Sequence, residues 1–182
     1  MIKVGVIGGA GYVAGELIRI LVDHPEVEIC YATSNSQKEK DLSQVHGDLI
    51  GELQLSFSEK HHLDVDVIFL CGGHGNSKTF LEQNPVPDNV KIIDMSTDFR
   101  ADNNFSYGLP ELNKASYTNR IANPGCFATC IQLGLLPLAK AKALNDEVHI
   151  HAITGSTGAG QNPGATTHFS WRSNNVSVYK AF

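Results

Sequence analysis

The sequence predicts an α/β protein: a doubly wound parallel sheet followed by the start of an α+β domain. Three observations carry this. Short, apolar, β-branched runs at residues 2–7, 65–71 and 90–95 read as strands buried on both faces, as a parallel sheet requires. The first run is followed by glycines, a helical pattern and another strand at 27–32, a β-α-β unit of about 30 residues, which is the usual size. Residues 147–153 instead alternate polar and apolar with period two, which suits a sheet with one packed face and one polar face, and so a differently built domain.

The elements follow in order. After the first strand and its glycines, residues 16–22 place Leu17, Ile20 and Leu21 at helical spacing, and Pro25 ends that helix. Residues 27–32 form the second strand. Residues 37–51 are polar, with Lys38, Lys40 and His46, and read as loop with room for a short helix. The third strand, 65–71, runs into the turn Gly72-Gly73-His74-Gly75 and a short helix at 76–83 that Pro85 and Pro87 break. The fourth strand is 90–95, and 96–116 is irregular. Ile121-Ala122 leads into Pro124-Gly125. A helix over 126–143 then sets Ile131, Leu135, Leu138 and Ala139 on one face despite Pro137. The division is a nucleotide-binding domain at 1–122 and part of a second domain at 123–182.

Composition narrows the function classes. Hydrophobic residues make up 42% and charged residues 18%, ordinary for a globular chain with a core. Lys and Arg number 14 against 19 Asp and Glu, a net charge of −5, which argues against general nucleic-acid binding. Anions must then be held by helix N-termini, backbone N–H groups and single basic residues. The amino terminus runs straight into a strand without a signal peptide, and no apolar stretch approaches a membrane span. The cysteines, Cys30, Cys71, Cys126 and Cys130, lack zinc spacing, so no metal and a reduced cytoplasmic setting are expected.

Four motifs carry chemistry. Gly9-Ala10-Gly11-Tyr12-Val13-Ala14, with Gly8 before and Gly15 after, fits the Rossmann-type dinucleotide fingerprint between a strand and a helix. The alternative is a turn serving chain reversal alone. After the second strand, Thr33-Ser34-Asn35-Ser36-Gln37-Lys38 lacks the acidic residue expected of an NAD site. Hydroxyls plus a lysine favour a 2′-phosphate and hence NADP, unless they are merely loop. Cys126 follows Pro124-Gly125 and opens a helix, where free N–H groups and the helix dipole favour the thiolate, the nucleophilic form. An inert core cysteine is the other reading of Cys126, and the expected one for Cys130. Gly155-Ser156-Thr157-Gly158-Ala159-Gly160 offers backbone donors to a ligand, or is a flexible loop.

Of the remaining polar residues, His74 sits at the usual ligand edge of such a sheet. His61 and His62 read as surface residues. His149 and His151 share a strand face without a third metal ligand. Asp98, Arg100 and Glu111 precede Cys126 and either form a salt bridge that holds the loop or bind an anionic substrate.

Together these residues resemble the N-acetyl-gamma-glutamyl-phosphate reductase family, NADPH-dependent enzymes of arginine biosynthesis. The resemblance rests on the motif from Gly8 to Leu17, on Thr33-Ser34-Asn35-Ser36, His74-Gly75, Ile93-Asp94-Met95-Ser96-Thr97-Asp98-Phe99-Arg100 and Tyr107-Gly108-Leu109-Pro110-Glu111. Ala122-Asn123-Pro124-Gly125-Cys126-Phe127-Ala128-Thr129 and the 155–160 loop complete it. Ala14 stands where the family usually has glycine, Asn35 replaces a frequent arginine, and Cys71-Gly72-Gly73 replaces Ala-Leu-Pro.

The motifs and the resemblance imply Cys126 as the nucleophile. They imply NADP(H) held by Gly8, Gly9, Gly11, Tyr12, Val13, Ser34, Asn35, Ser36, Lys38, His74, Gly75, Ser96, Gly158 and Ala159. Arg100, Glu111, Asn123 and Ser156 would hold a small acyl phosphate. The resemblance further implies a Cys126 thioester reduced to a semialdehyde, a homo-oligomer, and an acid/base histidine in a motif that family members carry beyond a segment like 175–180. That histidine is absent here, so the expectation is a chain cut within its second domain. An aspartate-semialdehyde dehydrogenase-like enzyme and a non-catalytic NADP-binding module are the competing readings.

Overall fold

The computed structural model describes residues 1–112, 117–162 and 164–178. The end of the irregular segment read at 96–116, and residues 163 and 179–182 of the part assigned to the second domain, lie outside them. The chain divides into two compact units, Met1–Ile150 and His151–Phe182.

The first unit is built on a parallel sheet of six strands: β1 (Ile2–Ile7), β2 (Val27–Ala32), β3 (Val67–Leu70), β4 (Lys91–Asp94), β5 (Ser106–Tyr107) and β6 (Arg120–Ala122). They lie in the order β2-β1-β3-β4-β6-β5, every pair parallel. The chain steps from β1 out to β2 and then returns to the other side of β1 for β3. The switch point therefore falls between β1 and β3, where open sheets of this kind bind ligands beyond the carboxyl ends of their strands. The expected strands at 2–7 and 27–32 match to the residue, and those at 65–71 and 90–95 are trimmed at their ends. The 96–116 segment holds β5, two residues long, which is too short to leave a periodic signature.

Helices α1 (Tyr12–Val22), α2 (Leu42–Val45), α3 (Asn76–Gln83) and α4 (Cys126–Lys140) belong to this unit. Helix α1 starts four residues before the leucine spacing suggested. It buries Ala14, Gly15, Ile18 and Leu21. Ile20, read as part of the apolar face, is 68% exposed. It lies two positions from Ile18, about 200° round the helix, and so points away from the sheet. One core packs α1 and the 42–49 connector on Val4, Val6 and Ala32, and a second gathers Ile68, Leu70 and Ile92 with Tyr31, Val65 and Val90. Ile18 is fully enclosed. Truncating such a side chain to alanine costs about 2–5 kcal/mol.

The alternating segment 147–153 forms no strand. Alternation selects a face, but a strand also needs a partner to complete its ladder, and no described residue pairs with it. Val148 and Ile150 remain exposed. The second unit contains a 3-10 turn at Ser156–Ala159 and the short helix α5 (Phe169–Arg172). Among the described residues no helix is long and apolar enough to cross a membrane, and no cluster of His, Cys, Asp and Glu could hold a metal ion.

Candidate active site

Because the sheet is parallel, all its strands deliver their carboxyl ends to one edge, and most of the sequence-predicted site residues are found there. Gly8 follows β1 with φ +81°, and a Cβ on it would lie 2.6 Å from Gly72 Cα, beyond β3. Only glycine combines that left-handed backbone with so close an approach. The Gly8 N–H donates to Thr33 Oγ1 (3.2 Å) and the Gly9 N–H to the Thr33 carbonyl (2.7 Å). The turn after β1 is thus tied to the end of β2.

Gly11 is the N-cap of α1, in extended conformation (φ −78°, ψ 164°) and without a side-chain cap. A Cβ at Gly11 would meet nothing within 4 Å. The first turn of α1, at Tyr12 and Val13, therefore presents uncapped N–H groups at an open helix N-terminus, which suits a pyrophosphate. Beyond β2, Ser34 is buried and its Oγ accepts from Gln37 N (3.2 Å) and lies 3.5 Å from Ser36 Oγ. Asn35 is exposed. Lys38 pairs with Glu59 at 2.7 Å, and this bond raises the lysine and lowers the glutamate from their ordinary values.

At the ends of β3 and β4 the structure answers the question left by Asp98 and Arg100. Asp98 accepts from the Gly75 N–H (2.7 Å) and the Lys78 N–H (3.0 Å), and so caps α3 from another segment. Burial opposes its charge, yet these N–H bonds, Ser96 and His74 outweigh it and hold the carboxyl below its ordinary value. His74 Nδ1 accepts from the Thr97 N–H (3.1 Å), which leaves Nε2 as the protonated nitrogen of the neutral ring. Ser96 is buried and bonds through both its N–H and its Oγ to Asp94, a carboxylate with no exposed surface. The sequence reading placed Asp94 in the Ile93–Arg100 motif but gave it no role of its own; its signal was a carboxylate closing an apolar strand.

Arg100 makes no ion pair with Asp98 or Glu111 among the described residues. Its Nε donates to the Asn123 carbonyl (2.9 Å). A Cβ on Gly125 would lie 3.0 Å from Arg100 Nη1, so the guanidinium runs along the turn that precedes Cys126. Asn123 is held in turn by its N–H to the Asp94 carbonyl (2.8 Å). Glu111 is exposed.

Cys126 is the first residue of α4, behind an extended, uncapped Gly125 (φ −69°, ψ 156°), and it is exposed. Thr129 closes the first turn by donating N–H (2.8 Å) and Oγ1 (3.0 Å) to the Gly125 carbonyl. Cys30 and Cys71 are partly covered. Burial, and then Asp94, push the Cys71 thiol up to about 12, and burial with Glu28 raises Cys30. Cys130, expected in the core, is exposed, because α4 buries none of its side chains. In the second unit, Ser156, Gly158 and Ala159 lie in the 3-10 turn, where Gly158 N donates to the Gly155 carbonyl (3.2 Å).

Comparisons with known proteins place the chain in a family and support its fold. Residues 3–120 match the family model described as semialdehyde dehydrogenase, NAD binding domain, and residues 126–182 match semialdehyde dehydrogenase, dimerisation domain. The whole chain is 57% identical to an N-acetyl-gamma-glutamyl-phosphate reductase of Bacteroides fragilis, and 56% identical to those of Bacteroides thetaiotaomicron and Christiangramia forsetii. In each case it spans 58% of the relative's length. Aspartate semialdehyde dehydrogenase II from Vibrio cholerae, complexed with ASA, shares the fold at TM-score 0.62 and 20% identity, over 78% of this chain and 47% of that one. The enzyme from Candida albicans with NADP does so at TM-score 0.56 and 17% identity, with the same coverage. The chain belongs to the semialdehyde dehydrogenase family.

Proposed function

We propose that the protein is an N-acetyl-gamma-glutamyl-phosphate reductase, acting through a thioester on Cys126. One observation carries the reading. An exposed cysteine opens a helix on the same sheet edge as the glycine turn, in a chain that shares more than half its residues with reductases of that name over its full length.

A dinucleotide fits the backbone at the switch point. The Gly11 N-cap lacks a side-chain partner and stands in open space. Gly8, Gly9, Gly11, Tyr12 and Val13 would hold the pyrophosphate, and Ser34, Asn35, Ser36 and Lys38 the 2′-phosphate of NADP. To serve there, Lys38 must share or leave its exposed pairing with Glu59, which costs little at a solvated site. His74, Gly75 and Ser96 lie along the same edge.

The chain's own residues supply the acyl-transfer step, without the acid/base histidine that the resemblance implies. The Cys126 sulfur attacks the acyl carbon of the N-acyl-glutamyl phosphate, a C–S bond forms, and phosphate leaves with the electrons of the broken C–O bond. The N–H groups at the start of α4 are donors for the oxygen that becomes negative during attack. Arg100, fixed by the Asn123 carbonyl, places a permanent positive charge beside the turn for the anionic substrate. Glu111 and Asn123 would complete the substrate contacts. NADPH, when bound, would supply the hydride that reduces the thioester carbon, after which the C–S bond breaks and Cys126 leaves as the thiolate to give the semialdehyde.

The division into 1–122 and 123–182, a homo-oligomer formed through the second domain, and a cytoplasmic setting belong to the same proposal. The match of residues 126–182 to a dimerisation domain supports the oligomer. Phosphate-dependent reduction of NADP with N-acetylglutamate 5-semialdehyde, but not with aspartate 4-semialdehyde, is the expected result, lost in Cys126→Ser. The reverse preference would make the protein an aspartate-semialdehyde dehydrogenase. NADP binding with turnover of neither aldehyde would make it a binding module.

A further inference from the structure

We infer that His46 is a positioning residue for the dinucleotide turn: its Nε2 fixes the Gly9 carbonyl, and Gly15 supplies the space for its ring. The inference rests on the dinucleotide reading above. His46 lies in the 42–49 connector between β2 and β3, far along the chain from the glycine motif. It is nevertheless 5% exposed and places Nε2 2.8 Å from the Gly9 carbonyl. A carbonyl is only an acceptor, so the bond requires the tautomer with hydrogen on Nε2. Phe57 meets the His46 ring edge-on at 6.3 Å between centroids.

Gly15 has a role here that the dinucleotide fingerprint does not give it. A Cβ on Gly15 would lie 2.7 Å from His46 Nδ1 and 2.8 Å from its Cε1. The glycine after the motif is thus the hole in α1 that the ring enters. The connector is fastened to the same helix by Arg19, which donates to Asp48 through Nε and through Nη2 (2.8 Å). His46 therefore reaches the turn from a support fixed to α1 itself. Because the peptide is planar, holding the Gly9 carbonyl also holds the Ala10 N–H in the same plane, the link that leads to Gly11 and the N–H groups of Tyr12 and Val13. The dinucleotide then meets a turn set before it arrives, without the cost of ordering it.

The test is NADP+ affinity by calorimetry for wild type, His46→Leu, His46→Gln and Gly15→Ala, with thermal unfolding of each. His46→Leu should bind about tenfold more weakly, the loss of one hydrogen bond to a buried carbonyl. His46→Gln keeps a donor and should recover most of the affinity. Gly15→Ala, which leaves His46 in the chain but displaces its ring, should weaken binding to a similar degree. In wild type, long-range 1H–15N spectra of the His46 ring should show hydrogen on Nε2. Folded His46→Leu with wild-type affinity overturns the inference. If His46→Leu does not fold, wild-type affinity in Gly15→Ala, or a ring with hydrogen on Nδ1, overturns it. Wild type that binds no NADP+ overturns the dinucleotide reading itself, and this role with it.

Discussion

The helix N-termini at Gly11 and Gly125 share one backbone arrangement, which the proposed function would use for two kinds of chemistry. Both N-caps are extended glycines, at φ −78°, ψ 164° and φ −69°, ψ 156°, and neither helix has a side-chain cap. Each therefore offers uncapped N–H groups at the carboxyl edge of the same sheet. At Gly11 the space beside the turn is empty, and the residues that follow carry no nucleophile. At Gly125 a guanidinium lies along the turn and the first helical residue is a cysteine. At both turns the backbone can favour negative charge, and under the proposed function the residue at the first helical position would decide whether that charge is a ligand's phosphate or the protein's own sulfur.

Cys126→Ser breaks the comparison most severely. Activity should fall on the order of 10³-fold or more, because the covalent step is removed. NADP+ affinity measured by fluorescence titration should stay within about twofold.

The next effect is an asymmetry between glycines. Gly8→Ala forces a side chain into φ +81° and against the backbone of Gly72, and should destabilise by about 2–3 kcal/mol in urea unfolding. Gly125→Ala meets only the end of the Arg100 side chain from an ordinary backbone conformation, and should cost less than about 1 kcal/mol. Equal losses at the two positions would contradict the account of the turns.

Arg100→Ala tests the cysteine end alone. Loss of its charged bond should lower kcat/KM for the acyl phosphate by roughly ten- to a hundredfold, chiefly through KM, and leave NADP+ affinity unchanged.

The smallest effect concerns acid. Asp48 is lowered from 3.8 to about 2, first by the hydrogen bond from Arg19. A depressed carboxylate stabilises the fold fully above its unfolded value, and that contribution is lost as pH falls through the folded value. Wild type should therefore lose a small increment of thermal stability between about pH 4 and pH 2, slight because the pair is exposed. Asp48→Asn should lack that step in melting curves followed by circular dichroism.

The sequence made the first four strands legible because they are short, apolar and set between turn residues, and α3 because glycines and prolines frame it. The glycine turn and the opening of α4 at Cys126 could be read for the same reason: the local structure of each depends on neighbours in sequence. What escaped depends on residues distant along the chain. Asp98 caps a helix more than 20 positions earlier, which no local pattern encodes. His46 reaches Gly9 across 37 positions. The burial of Cys130 was misjudged because a helical apolar stripe names a face but not what covers it, and α4 buries none of its side chains. The alternating 147–153 segment misled in the same way, since a period-two pattern is only half of a β ladder.

The central claim is that the Cys126 sulfur takes up the acyl group before any reduction occurs. Intact and peptide mass spectrometry of the protein mixed with N-acetyl-glutamyl 5-phosphate, without NADPH, tests this most directly. The account predicts one acyl adduct, located on Cys126, absent in Cys126→Ser and discharged as the semialdehyde when NADPH is added. An adduct on another residue, or semialdehyde formed by Cys126→Ser at the wild-type rate, would contradict it.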